Sequence, residues 1–160
     1  MSKPRVRPEN TDLELLQLHA TVLSTLCSRG VLRSVNNPAA DYAEYLVRLA
    51  LRLQSAPPST KGYDLVDSRG KRYEVKARRY TSRSKPTRFS AIRQLEAQHF
   101  HFLVVVLFDE DFTVRRGIVL PYGYVRRKAF LQAHVNGWIL PLDEELLSRG
   151  SGRDVTTLLR

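Results

Sequence analysis

The chain is short of sulfur, of acid and of long apolar runs. Cys27 is the only cysteine among 160 residues, so no disulfide framework is possible and no cysteine set can hold a structural zinc. It stands in a helical pattern with Leu23 and Leu26, which suits a small buried hydrophobe better than a nucleophile. The longest apolar run, Phe102 to Phe108, is far below the ~20 residues of a bilayer-spanning helix. Met1 to Asn10 is polar and contains proline, without the apolar core of a secretory signal. Together these absences lead to the expectation of a soluble, cytoplasmic protein with no membrane association.

Acid is scarce beside base: 26 Lys and Arg face 16 Asp and Glu, a formal charge of +10. That balance favours a polyanionic partner, because summed positive charge raises the encounter rate with phosphate-bearing polymers. The bases are also clustered. From Arg69 to Arg88 the chain carries Arg69, Lys71, Arg72, Lys76, Arg78, Arg79, Arg83, Lys85 and Arg88 against Glu74 alone. A solvated surface usually mixes its signs, so the run reads as a phosphate footprint. A second basic group, Arg126, Arg127 and Lys128, falls on a candidate helix. Length and the lack of a repeat suit a single domain over 1–160.

What stands beside the basic run is a pattern of charged residues with its own chemistry. Lys61 to Lys76 alternates apolar and polar residues around Ser68-Arg69-Gly70, which predicts a β-hairpin with a three-residue turn and Gly70 left-handed. Asp64 then faces Glu74 across the ladder, and Glu74 and Lys76, two apart, share a face. Tyr63, Leu65, Tyr73 and Val75 form the opposite, core-facing side. A two-residue turn at Ser68-Arg69 slips the register by one and separates the acids. In the first register two carboxylates and one ammonium gather where a hard divalent cation and an attacking water can be held. The plainer alternative is a solvated hairpin face with a Glu74–Lys76 ion pair worth about 0–1 kcal/mol.

Gly62-Tyr63-Asp64 followed by Glu74-Val75-Lys76, with Glu44 on a preceding helix in Asp41-Tyr-Ala-Glu-Tyr45, resembles the PD-(D/E)XK nuclease superfamily over about 36–121. Tyr63 stands where the family name has proline. The resemblance implies a restriction-endonuclease-like α/β fold, a central mixed sheet flanked by helices. It implies a Mg²⁺-dependent endonuclease, with Mn²⁺ a possible substitute, acting on duplex or branched DNA. Asp64, Glu74 and the Val75 carbonyl are then metal ligands, Lys76 orients and helps deprotonate the water, and Glu44 stands behind the ligands or on a second ion. Glu44 has an alternative as a surface partner of Arg48. Lys61, Arg72, Arg78, Arg79, Arg83, Lys85, Arg88, Arg126, Arg127 and Lys128 are the candidate DNA contacts. So small a chain suggests a homodimer or a partner supplying specificity. Two other function classes fit the charge: a catalytically inactive nucleic-acid-binding module, and a small toxin- or immunity-type interaction protein.

The remaining segments give further expectations. Residues 10–30 predict a packing helix of leucines ending near Gly30, and Asn37-Pro38 opens a second helix running to about Gln54. Arg78 to Phe89 lacks apolar periodicity and reads as a mobile loop, and Ser90 to Gln98 as a short helix. In the family a helix follows the Glu-x-Lys strand, which draws attention to Gln94. Phe102 to Phe108 predicts a strand covered on both faces. Asp109-Glu110-Asp111 is expected in a turn, not a metal cluster. His99 and His101 lack nearby partners for zinc. Residues 122–160 predict a helical extension, with helices at Tyr122–Leu131 and Asp143–Leu147.

Overall fold

A computed structural model describes residues 6–148 and 150–160, so the first half of the polar Met1–Asn10 stretch lies outside it. In chain order the elements begin with helices α1 (Asp12–Ser28) and α2 (Pro38–Ala50) and strands β1 (Gln54–Ser55), β2 (Leu65–Val66) and β3 (Arg72–Arg79). Strands β4 (Phe102–Phe108) and β5 (Val114–Pro121) and helix α3 (Tyr122–Lys128) follow. The chain closes with β6 (Phe130–Gln132), β7 (Gly137–Ile139), α4 (Glu144–Leu147) and β8 (Arg153–Asp154).

Six strands form one mixed sheet in the order β1-β2-β3-β4-β5-β8, and β6 and β7 make a separate ribbon. The fold is therefore mixed α/β. As its unbroken apolar sequence predicts, β4 lies in the middle, parallel to β3 and antiparallel to β5. Alternation splits its side chains between two cores: Leu103, Val105 and Leu107 face one, and Val104, Val106 and Phe108 the other. Ala43 and Val47 of α2 cover the second core. Phe89, Ile92, Leu95, Val125 and Leu140 cover the first.

The hairpin takes the three-residue turn. Leu65 pairs with Tyr73 and Val66 with Arg72, Gly70 has φ +77°, and the Asp67 N–H donates to the Lys71 carbonyl at 2.9 Å. The Asp67 carboxylate fastens the loop by accepting from the N–H groups of Arg69 and Lys71 at 2.9 Å each, a side-chain-closed turn typical of aspartate. Leu65, Tyr73 and Val75 lie on the α2 side of the sheet as expected, but Tyr63 packs against the opposite core. The chain bends at Asp64 before β2 begins, so strand alternation does not extend back to Tyr63.

Several boundaries differ from expectation. Helix α2 ends at Ala50, and Arg52 adopts φ +54°, which turns Gln54–Ser55 out of the helix and onto β2 as an edge strand. Arg78 and Arg79 belong to β3, and the segment after them is anchored: Phe89 is buried and its N–H donates to the Leu140 carbonyl at 3.1 Å. Instead of a helix over Ser90–Gln98 there is one 3₁₀ turn, Leu95–Ala97. Ile92 and Trp138 exchange two backbone hydrogen bonds of 2.8 Å, and Gln94 and Gln98 have φ near +50°. Both features break helical bonding.

Helix α1 has the predicted start, with Thr11 and Glu14 forming a capping box and Gly30 following its end at φ +69°. It is not a packing helix. Among its residues only Leu23 is buried, while Leu13 and Leu16 are 64% and 66% exposed. Its apolar residues surround the axis instead of forming one stripe, so one side meets the body and the rest faces outward. The C-terminal quarter is not a helical extension either. α3 stops at Lys128, Phe130–Gln132 turns into the β6–β7 ribbon, and β8 joins the main sheet beside β5. The α4 helix is capped by Asp143 as expected.

Gly152 lies where β8 meets β5, and a Cβ there falls 2.3 Å from the Val119 carbonyl oxygen. Gly152→Ala is expected to destabilise by about 1–3 kcal/mol through overpacking against backbone. Gly123→Ala, with open space around its Cβ inside α3, is expected to be neutral or stabilising by up to ~1 kcal/mol. Urea denaturation of the two variants checks the pair; equal stability for both removes this account of the β5–β8 contact.

Candidate active site

The site arises where one strand stops and its neighbour goes on. β2 is two residues long and covers only Arg72 and Tyr73 of β3, whereas β3 continues to Arg79 with β4 on its other side. From residue 74 onward β3 therefore has an open edge. The Asp64 carboxylate fills the first vacant pairing position: the Val75 N–H donates to its Oδ2 at 2.8 Å. In a strand the N–H and C=O of one residue point to the same edge, so the Val75 carbonyl faces the same notch.

Four side chains converge there. Glu44, Asp64, Glu74 and Lys76 line one cleft of about 420 Å³ between the first half of α2 and β3. Lys76 Nζ is 2.6 Å from Glu74 Oε1, and the two side chains are only 17% and 12% exposed. Glu44 does not pair with Arg48, whose guanidinium lies 5.6 Å from the Tyr45 ring centre. Its partner is Arg33, whose Nη2 donates to Glu44 Oε1 at 2.6 Å. Sequence inspection passes over Arg33 because it sits in a connector. The available signal is Asp41, three residues before Glu44 on α2, which accepts from the N–H groups of Arg33 and Ser34 at 2.9 Å each.

Crowded carboxylates raise one another's pKa. Burial, then the neighbouring Glu74, pushes Asp64 up to about 6 despite the bond from Val75 and the nearby Lys76. Burial and Asp64 push Glu44 up to about 7, against the pull of Arg33. Three carboxylates thus crowd a cleft that Arg33, Lys76, Arg78 and Arg79 border. Crowded carboxylate oxygens suit a hard divalent ion. No group of three His, Cys, Asp or Glu among the described residues is close enough to form a ready cage. The oxygens that could hold such an ion are those of Asp64, Glu74 and the Val75 carbonyl, which line this cleft. Asp109, Glu110 and Asp111 form the expected turn, with Asp111 accepting from the Thr113 N–H at 3.0 Å. The two histidines serve separately, His101 Nδ1 accepting from the Arg72 N–H at 3.0 Å and His99 meeting Gln94 at 3.3 Å.

The candidate DNA contacts separate into groups. Arg78 and Arg79 line the acidic cleft, and Lys61 lines a second cleft beside it. Arg78 Nε donates to the Arg88 carbonyl at 2.8 Å. Burial, with the charge of Arg88, holds its pKa below the usual guanidinium range. Arg83 is exposed. Arg72 donates to the Gln98 carbonyl at 3.1 Å, and Arg88 to Gln132 Oε1 at 3.3 Å. Lys85 lies apart, in a depression with the acidic turn. Arg126 covers the Trp138 ring at 4.4 Å, Arg127 lies over Tyr124, and Lys128 pairs with Glu145. The basic group on α3 is therefore largely engaged within the chain.

No protein-family model matches the chain, and no curated protein is found to be similar to it. No helix among the described residues is long and apolar enough to cross a membrane.

The raised carboxyl pKa values set a stability profile. An acid whose pKa is higher folded than unfolded contributes stability at low pH and loses it as pH rises through the folded value. For Asp64 and Glu44 the window runs from about pH 4, where unfolded carboxylates titrate, to about 7. Glu44→Gln and Asp64→Asn are therefore expected to be more stable than wild type at pH 8 in EDTA, by about 1–2 kcal/mol after solvent screening. Both gains should vanish near pH 4. Chemical denaturation at the two pH values measures this, and a variant equally or less stable at pH 8 contradicts the crowding.

Proposed function

We propose that this chain is a Mg²⁺-dependent endonuclease that hydrolyses DNA phosphodiester bonds, with a restriction-endonuclease-like fold similar to the PD-(D/E)XK superfamily. One observation carries the reading: the helix acid Glu44, the pre-strand acid Asp64 and the Glu74-x-Lys76 pair line one cleft at an open strand edge. Three distant stretches of sequence supply the set in the order the family motif requires. The sheet supports the fold, with an antiparallel β2–β3 hairpin set beside a parallel β4. The crossover departs from the family, having a single 3₁₀ turn where a helix is expected.

Asp64, Glu74 and the Val75 carbonyl would hold the ion, which would supply Lewis acidity toward the phosphate and a lowered pKa for a water. The rest falls to the chain. Asp64, on the cleft lining, is oriented by the Val75 N–H, which leaves its second oxygen outside that bond. Lys76 holds Glu74 in the resting site, and its ammonium is placed to orient the water and to stabilise charge accumulating on the phosphorane. Glu44, kept inward by Arg33, adds negative charge that favours cation capture. Arg78 and Arg79 supply positive charge along the same wall for the backbone of the bound strand.

The absence of a ready three-acid cage among the described residues favours one rival. It is a nucleic-acid-binding module of the same architecture that retards DNA on gels without nicking it under Mg²⁺ or Mn²⁺.

Supercoiled plasmid, linear duplex, single strand and four-way junction incubated with Mg²⁺ distinguish the two. Asp64→Asn, Glu74→Gln and Lys76→Ala are each expected to lower cleavage by at least about 100-fold. The two acid variants should bind DNA in EDTA as well as wild type or better. Cleavage retained in Asp64→Asn overturns the assignment. A separate expectation concerns Arg78→Ala, which should reduce the slope of log affinity against log salt by about 1. An unchanged slope removes Arg78 from the phosphate contacts.

A further inference from the structure

A second cleft, of about 610 Å³, shares Glu74 and Lys76 with the acidic one. Its size suits enclosure of one small organic ligand. The other walls come from three separate stretches: Lys61 and Gly62 before β2, the crossover around Gln94 and His99, and Asn136 between β6 and β7. Buried Ile92 and Phe100 add an apolar surface. Hydrolysis at the carboxylates makes no use of this space.

Its polar groups are held at conformational cost. Gln94 and Asn136 have φ of +51° and +48°, and Gln98 beside them +48°. Left-handed backbone at a non-glycine residue is strained and collects at binding sites. Gly62, at φ +83°, is required by close approach: a Cβ there falls 2.3 Å from His99 Cβ. The imidazole therefore lies directly against the backbone. His99 Nε2 meets Gln94 Oε1 at 3.3 Å, and with the proton on Nε2 this leaves the Gln94 amide nitrogen as a donor toward the cleft.

Amides and an imidazole above an apolar wall match the edge and face of a nucleobase. Lys61, Lys76 and Arg93 on the same walls outnumber Glu74, which leaves room for the nucleotide's own phosphate beside its base. We propose that the second cleft receives one unpaired nucleotide adjacent to the cleaved phosphate, its base read by Gln94, His99 and Asn136. The substrate class is then DNA with an unpaired or extruded base at the cleavage position, in preference to uniform duplex. The placement beside the cleaved bond rests on the nuclease reading; occupancy of the cleft does not.

Binding in EDTA tests occupancy apart from chemistry, using a duplex with one bulged 2-aminopurine and its fully paired counterpart. Wild type is expected to favour the bulged duplex by about tenfold or more, since the few kcal/mol of unstacking are already spent there. The fluorophore's emission should change on binding. Asn136→Gly, which keeps the left-handed backbone accessible, and His99→Ala should each bring the two affinities to within about twofold. Equal affinities in wild type, or a preference kept by both variants, overturn the proposal. A second arm adds Mg²⁺. Cleavage that ignores the bulge refutes the cleft while the nuclease stands. A bulge preference lost in the variants, without cleavage of any substrate, refutes the nuclease while the cleft stands.

Discussion

Everything at the candidate site depends on one hydrogen bond, from the Val75 N–H to the Asp64 carboxylate at 2.8 Å. A third residue pair between β2 and β3 would place a carbonyl there and close the strand edge. Substituting a side chain for that carbonyl satisfies the backbone donor and leaves the edge open toward α2. The bond also opposes the rise in the Asp64 pKa caused by burial and Glu74, holding part of the acid's charge in a place that otherwise discourages it. Anchoring, access and charge thus come from the same contact.

This contact explains why the acids were legible in the sequence. The turn chemistry fixes the register: Asp67 caps the loop, Gly70 takes the left-handed position, and Asp64 must then come opposite Glu74. Alternation fixes the faces of Glu74, Lys76 and the β4 residues. Parts governed by contacts distant in sequence were not legible. The crossover after β3 contains residues able to form a helix, but Ile92 is drawn into pairing with Trp138, forty-six positions away, and no local pattern announces that. Tyr63 lies on the side opposite to the one alternation predicts, because alternation applies only within a strand and the strand begins at Leu65. Helix α1 shows the opposite failure, since its leucines read as core although the described chain covers few of them.

The charge excess also divides more finely in space than in sequence. The run from Arg69 to Arg88 reads as one footprint, yet Arg72 turns to the Gln98 carbonyl and Lys85 shares a depression with the acidic turn, while Arg78 and Arg79 line the cleft with Arg78 bonded to the Arg88 carbonyl and Arg79 lying 4.5 Å from the Phe112 ring centre. On α3 the aromatic rings of Trp138 and Tyr124 and the carboxylate of Glu145 engage all three basic residues. Net charge of +10 therefore supports long-range attraction of a polyanion. Close contact falls to fewer residues, those nearest the acids.

The connector before α2 completes the electrostatics in a way its sequence hides. Asp41 and Glu44 are three apart and so share a face of α2. Asp41 folds the connector back by accepting two backbone N–H groups, and that fold delivers the Arg33 guanidinium to Glu44. Without Arg33, Glu44 would face Asp64 and Glu74 with no ion-pair partner of its own, since Lys76 already pairs with Glu74. Arg33 is also the most movable member of the group, its side chain 67% exposed against 15% for Glu44. It can neutralise Glu44 in the metal-free site and yield at little cost when a cation takes up the carboxylate charge, because an exposed ion pair contributes only about 0–1 kcal/mol. The crowding of the acids is thereby compatible with a folded protein before any ion arrives.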